Sequence, residues 1–196
     1  MSRPPTSVVR NARKVANRLA AVVVLCATLL IGTPQAEAAT PVKEAQIKAA
    51  FLYNFTRFVK WPEASFAAPG EAFVVGLFGD STLQQALEAM VKDRRVNGRS
   101  IIVKRVVTPV EARAVHLLFV EAAEEASFAD VWQKIADSPV LVVGESPQFL
   151  ASGGCIRLIL DEQRLRFEIN ASAAERARLR ISSQLQKLAV AVHHLP

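Results

Sequence analysis

Histidine, cysteine and glycine are scarce in this chain, and each scarcity closes off a class of chemistry. In 196 residues there are 3 histidines, 2 cysteines and 8 glycines. His193 and His194 are neighbours, so on a helix they would point about 100° apart and could not chelate one metal from one face. They read as a solvated tail. His116 heads an apolar strand, where a satisfied or half-exposed imidazole is expected. Gly76 and Gly79 form no G-x-G-x-x-G, and no phosphate-cradling glycine follows them. Ser182-Ser183 has neither a partner base nor a G-x-S-x-G elbow. The sequence therefore predicts no enzyme: no catalytic residue, no metal site and no cofactor.

The formal net charge of +6 invites a nucleic-acid reading. Its distribution answers that reading. Arg3, Arg10, Arg13, Lys14 and Arg18 precede the apolar run Leu19 to Ile31, which only Cys26 and Thr28 interrupt, and Ala36-Glu37-Ala38 follows. A charged n-region, a short h-region and an A-x-A site predict a secretory signal peptide over residues 1–38, cleaved near Ala38, with residues 39–196 as one domain. Without that segment 19 basic and 17 acidic side chains remain, a net +2, so charge no longer points to nucleic acid. The exported chain would keep one cysteine, Cys155, and could make no internal disulfide. Cys155 beside strand residues reads as a buried inert thiol; a redox or intermolecular thiol is the alternative.

Hydrophobic periodicity supplies the elements. Ile47, Ala50, Phe51, Asn54, Phe55, Phe58 and Val59 fall at three-and-four spacings, predicting a helix from Val42 to Trp61 that Pro62 stops. The near-continuous apolar run Phe73 to Phe78 predicts a strand buried on both faces. A helix from about Thr82 to Lys92 follows the Gly79-Asp80-Ser81 turn, with Asp80 as its N-cap. Asn97-Gly98 marks a turn. Strands are expected at 100–107, 115–120, 140–143 and 155–160, with a helix at 126–137 and a turn of helix at Phe149-Leu150. Asp161-Glu162-Gln163 connects to a strand at Leu165 as an antiparallel hairpin. The fold class expected is α/β: a single layered domain, a mixed sheet of about six strands flanked by helices, and a C-terminal strand-helix closing unit.

That closing unit carries the densest pattern. Leu165, Phe167 and Ile169 alternate with Arg164, Arg166, Glu168 and Asn170, the period of a half-buried strand. Ser172 and Glu175 have capping-box spacing, and Ile181, Leu185, Leu188 and Val192 form one helical stripe. Ser183 with Gln186 offers a second capping box, leaving two short helices as an alternative to one long one. Leu165, Phe167, Ile169, Leu185 and Leu188 are the expected core. Two surfaces could contact a partner. One is the aromatic helix face (Phe51, Phe55, Trp61), which could equally cover a sheet. The other is Glu168 with Asn170, which an ion pair or a helix cap would also explain. A small-ligand pocket at the Gly79-Asp80 turn and the strand ends is the alternative class.

Several of these stretches together resemble the YfiR family. They are Ala50-Phe51-Leu52-Tyr53-Asn54-Phe55-Thr56-Arg57-Phe58-Val59-Lys60-Trp61-Pro62, the Gly98-Arg99 turn, Val115-His116-Leu117-Leu118-Phe119-Val120, Gly153-Gly154, Arg166-Phe167-Glu168-Ile169-Asn170, and Leu179-Arg180-Ile181-Ser182-Ser183-Gln184-Leu185. The resemblance runs from about Glu44 to Val192. It implies a periplasmic α/β protein that represses a membrane-bound diguanylate cyclase of the YfiN type by binding its periplasmic sensor region. It also implies homodimers, an outer-membrane lipoprotein that sequesters the regulator, and control of biofilm formation and motility through cyclic di-GMP. The best-known family member has paired cysteines, whereas Cys155 stands alone here, so disulfide-based control does not carry over.

Overall fold

The computed structural model describes residues 41–79, 81–161 and 164–195. The signal-peptide assignment, the Asp80 cap and Glu162-Gln163 of the hairpin connection lie outside the described residues. In chain order the elements are α1 (Pro41–Phe58), β1 (Val59–Lys60), β2 (Phe73–Phe78), α2 (Ser81–Val91), β3 (Arg95–Val96), β4 (Arg99–Arg105), α3 (Pro109–Arg113), β5 (Leu117–Val120), α4 (Glu125–Ile135), β6 (Leu141–Gly144), β7 (Ile156–Asp161), β8 (Arg164–Asn170), α5 (Ala171–Arg176), β9 (Arg180–Ile181), α6 (Ser183–Leu188) and β10 (Val192–His193). No described helix is long and apolar enough to cross a membrane.

Among the described residues eight strands form the main sheet in the order β10-β8-β7-β6-β5-β2-β4-β3, and β1 with β9 forms a separate two-stranded sheet. β4, β2, β5, β6 and β7 run parallel, β8 turns back antiparallel to β7, and β10 runs parallel to β8. The architecture is the mixed, helix-flanked sheet that the sequence predicts, with two more strands in the main sheet than expected. The extra strands β3 and β10 have two residues each, too few to display a period.

Burial on both faces explains the apolar runs. Phe73, Val75, Leu77, Leu117, Phe119, Leu141 and Val143 enter one core with α1, α2 and the closing unit. Leu118, Val120 and Val142 enter a second core with Phe128, Val131 and Ile135 of α4 and the Phe149-Leu150 turn. Three layers result, helices on each side of the sheet. Asn97 (φ 50°) and Gly98 (φ 80°) close the β3–β4 hairpin, both in the left-handed region that a two-residue turn of this kind requires. Thr108 and Glu111 cap α3 reciprocally, with Pro109 at its first position. Lys48 pairs with Glu44 within α1 (2.8 Å) and with Glu145 just after β6 (2.7 Å), and the second ion pair fastens the helix to that strand end. Burial by itself would lower the Lys48 pKa, but hydrogen bonds to Glu145 and Glu44 outweigh it and the net direction is up.

The C-terminal segment departs from the single helical stripe. α5 and α6 are two short helices separated by β9, which pairs with β1 through Val59–Ile181 and Lys60–Arg180. Ile181 is thus a strand residue, Val192 belongs to β10, and Leu188 is 69% exposed rather than core. The caps also differ from the expected boxes. Asn170 caps α5 by accepting from the Ala173 amide, and Ser182, not Ser183, caps α6 by accepting from Leu185. Of the two tail histidines, His194 is exposed coil as expected, whereas His193 pairs with Asn170 in the parallel β10–β8 register.

Candidate functional site

Alternation along β8 sends its two sets of side chains to opposite faces of the sheet. Towards α1, Phe167 meets Phe51 and Phe55 in a triangle of edge-on rings, with centroids 6.0 Å and 5.3 Å from Phe167 and 6.1 Å from each other. Edge-to-face packing of this kind adds about 0.5–1.5 kcal/mol beyond area burial. Phe55 is buried at 1% exposure, as is Phe167 at 4%, so its role is core. Phe51 is only partly buried and lines an open groove of about 650 Å³ between α1, β8 and α6. Phe58, Leu165 and Leu188 continue its apolar wall, Arg57 and Asn54 border it on α1, and β8 borders it from Leu165 to Phe167.

On the opposite face Glu168 and Arg157 are directly paired across β8 and β7, and their side chains form an ion pair at 2.7 Å. His193 Nε2 lies 3.7 Å from the same carboxylate oxygen. Arg157 also donates to the Pro147 carbonyl. Two residues further on, Asn170 is fully buried and uses both ends of its amide: Nδ2 donates to Leu150 O, and Oδ1 accepts from Ala173 N and Leu195 N, at 3.2–3.3 Å. It ties β8, the turn after β6, the start of α5 and the C-terminal tail into one knot. Glu168 is therefore the member of the Glu168–Asn170 pair that retains exposure.

Trp61, the third aromatic candidate, stands apart from both. Its Nε1 donates to the His116 carbonyl at 2.9 Å, and its ring meets Phe73 edge-on at 4.8 Å. Around it lies a cluster that sequence reasoning missed. His116 is sandwiched between Phe66 (4.4 Å) and Phe73 (4.9 Å). Its Nδ1 accepts from the Val74 amide and its Nε2 lies 3.1 Å from Ser65 O, which fixes a neutral ring with the proton on Nε2. Burial holds its pKa below the usual imidazole range, with the Arg99 charge acting in the same direction against the pull of the Ser65 carbonyl and Glu71. Arg99 covers Phe66 at 3.9 Å and donates to the carbonyls of Ala68 and Glu71. The only advance signal was a histidine at the head of an apolar strand.

Cys155 is buried, and desolvation pushes its thiol up to about 11. The thiolate, the reactive form, is thereby suppressed. At the strand ends the parallel order reverses between β2 and β5, the place where open α/β sheets form ligand crevices. Here a side chain on Gly79 would meet Glu121, so a carboxylate already fills that position. Among the described residues no three His, Cys, Asp or Glu side chains are grouped as metal ligands.

Among solved structures the chain is similar to a conserved domain protein from Vibrio cholerae, at 10% identity and a TM-score of 0.51, covering 78% of this chain and 60% of that one. It is also similar to the ABC domain in complex with L-Trp from Streptococcus pneumoniae, at 13% identity and a TM-score of 0.48, covering 76% and 60%. The chain thus spans 60% of the length of each. No curated protein matches it. The sequence profile of the YfiR/HmsC-like family matches residues 45–190, from the second turn of α1 to the end of the groove wall. The chain belongs to the YfiR/HmsC-like family.

Proposed function

We propose that this protein is a non-catalytic periplasmic regulator that binds the periplasmic sensor region of a membrane-bound diguanylate cyclase and lowers its cyclic di-GMP output. The observation that carries the reading is the family match across residues 45–190. The charged, apolar and A-x-A pattern of residues 1–38 supports export. Homodimerisation and sequestration by an outer-membrane lipoprotein belong to the same reading, with biofilm and motility as its outputs.

On this reading Glu168 is the residue that reports to the cyclase. Its carboxylate keeps 16% exposure while Arg157 holds it in place, and an oriented charge at a surface contributes specificity and encounter rate. Phe51 and Trp61 are the aromatic contacts that remain partly exposed, whereas Phe55 and Asn170 hold the surface in shape. The test is capture of the cyclase from solubilised membranes by the tagged chain, with cellular cyclic di-GMP measured in parallel. Deleting the gene should raise cyclic di-GMP. Glu168→Gln should weaken capture at least tenfold while the purified variant still melts cooperatively. Unchanged cyclic di-GMP on deletion, with no cyclase recovered by the native chain, would overturn the reading.

A further inference from the structure

The edge of the main sheet beside β4 is only partly covered. β3 pairs with β4 through Arg95–Ser100 and Val96–Arg99 alone, while on the other side β2 pairs with it from Ile101 to Arg105. Val106 N donates to Leu77 O at 2.9 Å, so strand alternation turns the main-chain groups of the even-numbered β4 residues to β2 and those of the odd-numbered ones outward. Arg99 obeys the same parity, since it faces Val96 across the Asn97-Gly98 turn. The N–H and C=O groups of Val103 and Arg105 therefore point away from the sheet, and among the described residues no group is hydrogen-bonded to them. A row of open main-chain groups is a template for another strand. Ile102 and Val107 stand 50% and 59% exposed along it, and β-branched side chains of this kind suit cross-strand packing.

The charge along this edge is of one sign. From Lys92 to Arg105 the sequence carries six basic side chains, Lys92, Arg94, Arg95, Arg99, Lys104 and Arg105, against one acidic, Asp93. Among the described residues none of the six is in an ion pair. Arg99 is committed to Phe66 and to the carbonyls of Ala68 and Glu71, and Arg94 lies 4.9 Å from the Tyr53 ring. Lys104 and Arg105 belong to the open stretch itself. Glu111, whose charge Lys104 feels, is occupied by the amides of Val107 and Thr108. Two copies joined edge to edge would set these cations against each other, whereas a strand of opposite sign would neutralise them. Open main-chain groups suit an extended polypeptide rather than a nucleic acid, and unpaired cations suit an acidic one.

We propose that β4 accepts an added strand from a partner protein: an extended segment alternating acidic and apolar residues, hydrogen-bonded at Val103 and Arg105, with its carboxylates at Lys104, Arg105 and Arg95. The edge lies at the opposite end of the strand order from β8 and Glu168, and its test needs no cyclase. The purified full chain is titrated, by fluorescence anisotropy, with a labelled, end-capped decapeptide alternating valine and glutamate. One comparison peptide alternates valine and lysine, and another keeps valine and glutamate but has every amide N-methylated. The first peptide should bind at least tenfold more tightly than either, since it alone supplies both the donors and the charge. Arg105→Pro sets a ring on the open edge without removing a bond to β2. It should weaken binding at least tenfold, whereas Arg105→Gln should cost about threefold, the effect of one exposed charge. The Lys104→Glu, Arg105→Glu double variant should prefer the valine–lysine peptide, and it alone decides if Arg105→Pro fails to fold. Equal binding of the three peptides by the native chain, or none, would overturn the proposal, as would equal binding by the two Arg105 variants. So would a single-stranded oligonucleotide that displaces the labelled peptide at lower concentration than the unlabelled peptide does, which would assign the cations to a polyanion. A native chain that binds no peptide and sediments as a dimer, which Arg105→Pro dissociates, would assign the edge to a second copy and equally overturn it.

Discussion

The two faces of β8 solve the problem of stability by different means. On the α1 face Phe167 and its neighbours are held by volume: rings at 5.3–6.1 Å, no polar atom required, and an open groove beside them. On the other face Glu168 and Asn170 are held by named partners, and every polar atom of the Asn170 amide is committed. Packing tolerates change at its margin. A hydrogen-bonded knot is complete or broken, because each partner it abandons stays buried without water. The first face can therefore vary at its rim, while the second can vary only where it reaches the surface, at Glu168.

The comparison can be broken by mutation. The largest loss is expected from Phe55→Ala, at about 3–5 kcal/mol in urea unfolding, because a ring with 1% exposure leaves a cavity. Asn170→Ala follows at about 2–3 kcal/mol, the cost of one lost helix cap and buried groups left orphaned at Leu150, Ala173 and Leu195. Glu168→Gln should cost about 1–2 kcal/mol through the unpaired Arg157. The smallest mutational effect belongs to the groove rim: Leu188→Ser should stay within about 0.5 kcal/mol, since the side chain is 69% exposed. An Asn170→Ala variant no less stable than Leu188→Ser would end the distinction between the faces.

Acid gives a further, smaller contrast, away from both faces. The His116 pKa is depressed from the ordinary 6.5 in the folded chain, so the unfolded chain binds the proton more readily. The stability His116 contributes is fully present above about pH 6.5, is lost as pH falls from there towards the folded pKa, and does not decline further below it. Urea midpoints measured from pH 7.5 to 5 should fall, and His116→Phe should flatten that slope while lowering the whole curve.

What the sequence showed and hid follows from range. β2, β5 and β6 were legible because burial on both faces writes itself as an unbroken apolar run, and β8 because one buried face writes an alternation. Asn97-Gly98 announced its hairpin because the turn demands left-handed residues. The closing unit misled because Leu185 and Leu188 sit at helical spacing whether one helix or two follows Asn170, and only the distant pairing of β9 with β1 decides. Asn170 and Glu168 share a strand parity, so alternation placed both on one face. It could not say that the Leu150 turn and the C-terminal tail would bury one and spare the other. The groove was invisible for the same reason: Phe51, Leu165 and Leu188 come from three separated segments, and no local pattern joins them.

One buried atom turns these ideas into a clock. Cys155 is 2% exposed and its thiol's ionisation is suppressed, so an alkylating reagent must wait for the fold to open before it can react. The rate of mass gain at that thiol then counts opening events directly, residue-specifically and without added dye. That count gives every purified batch its own built-in timer.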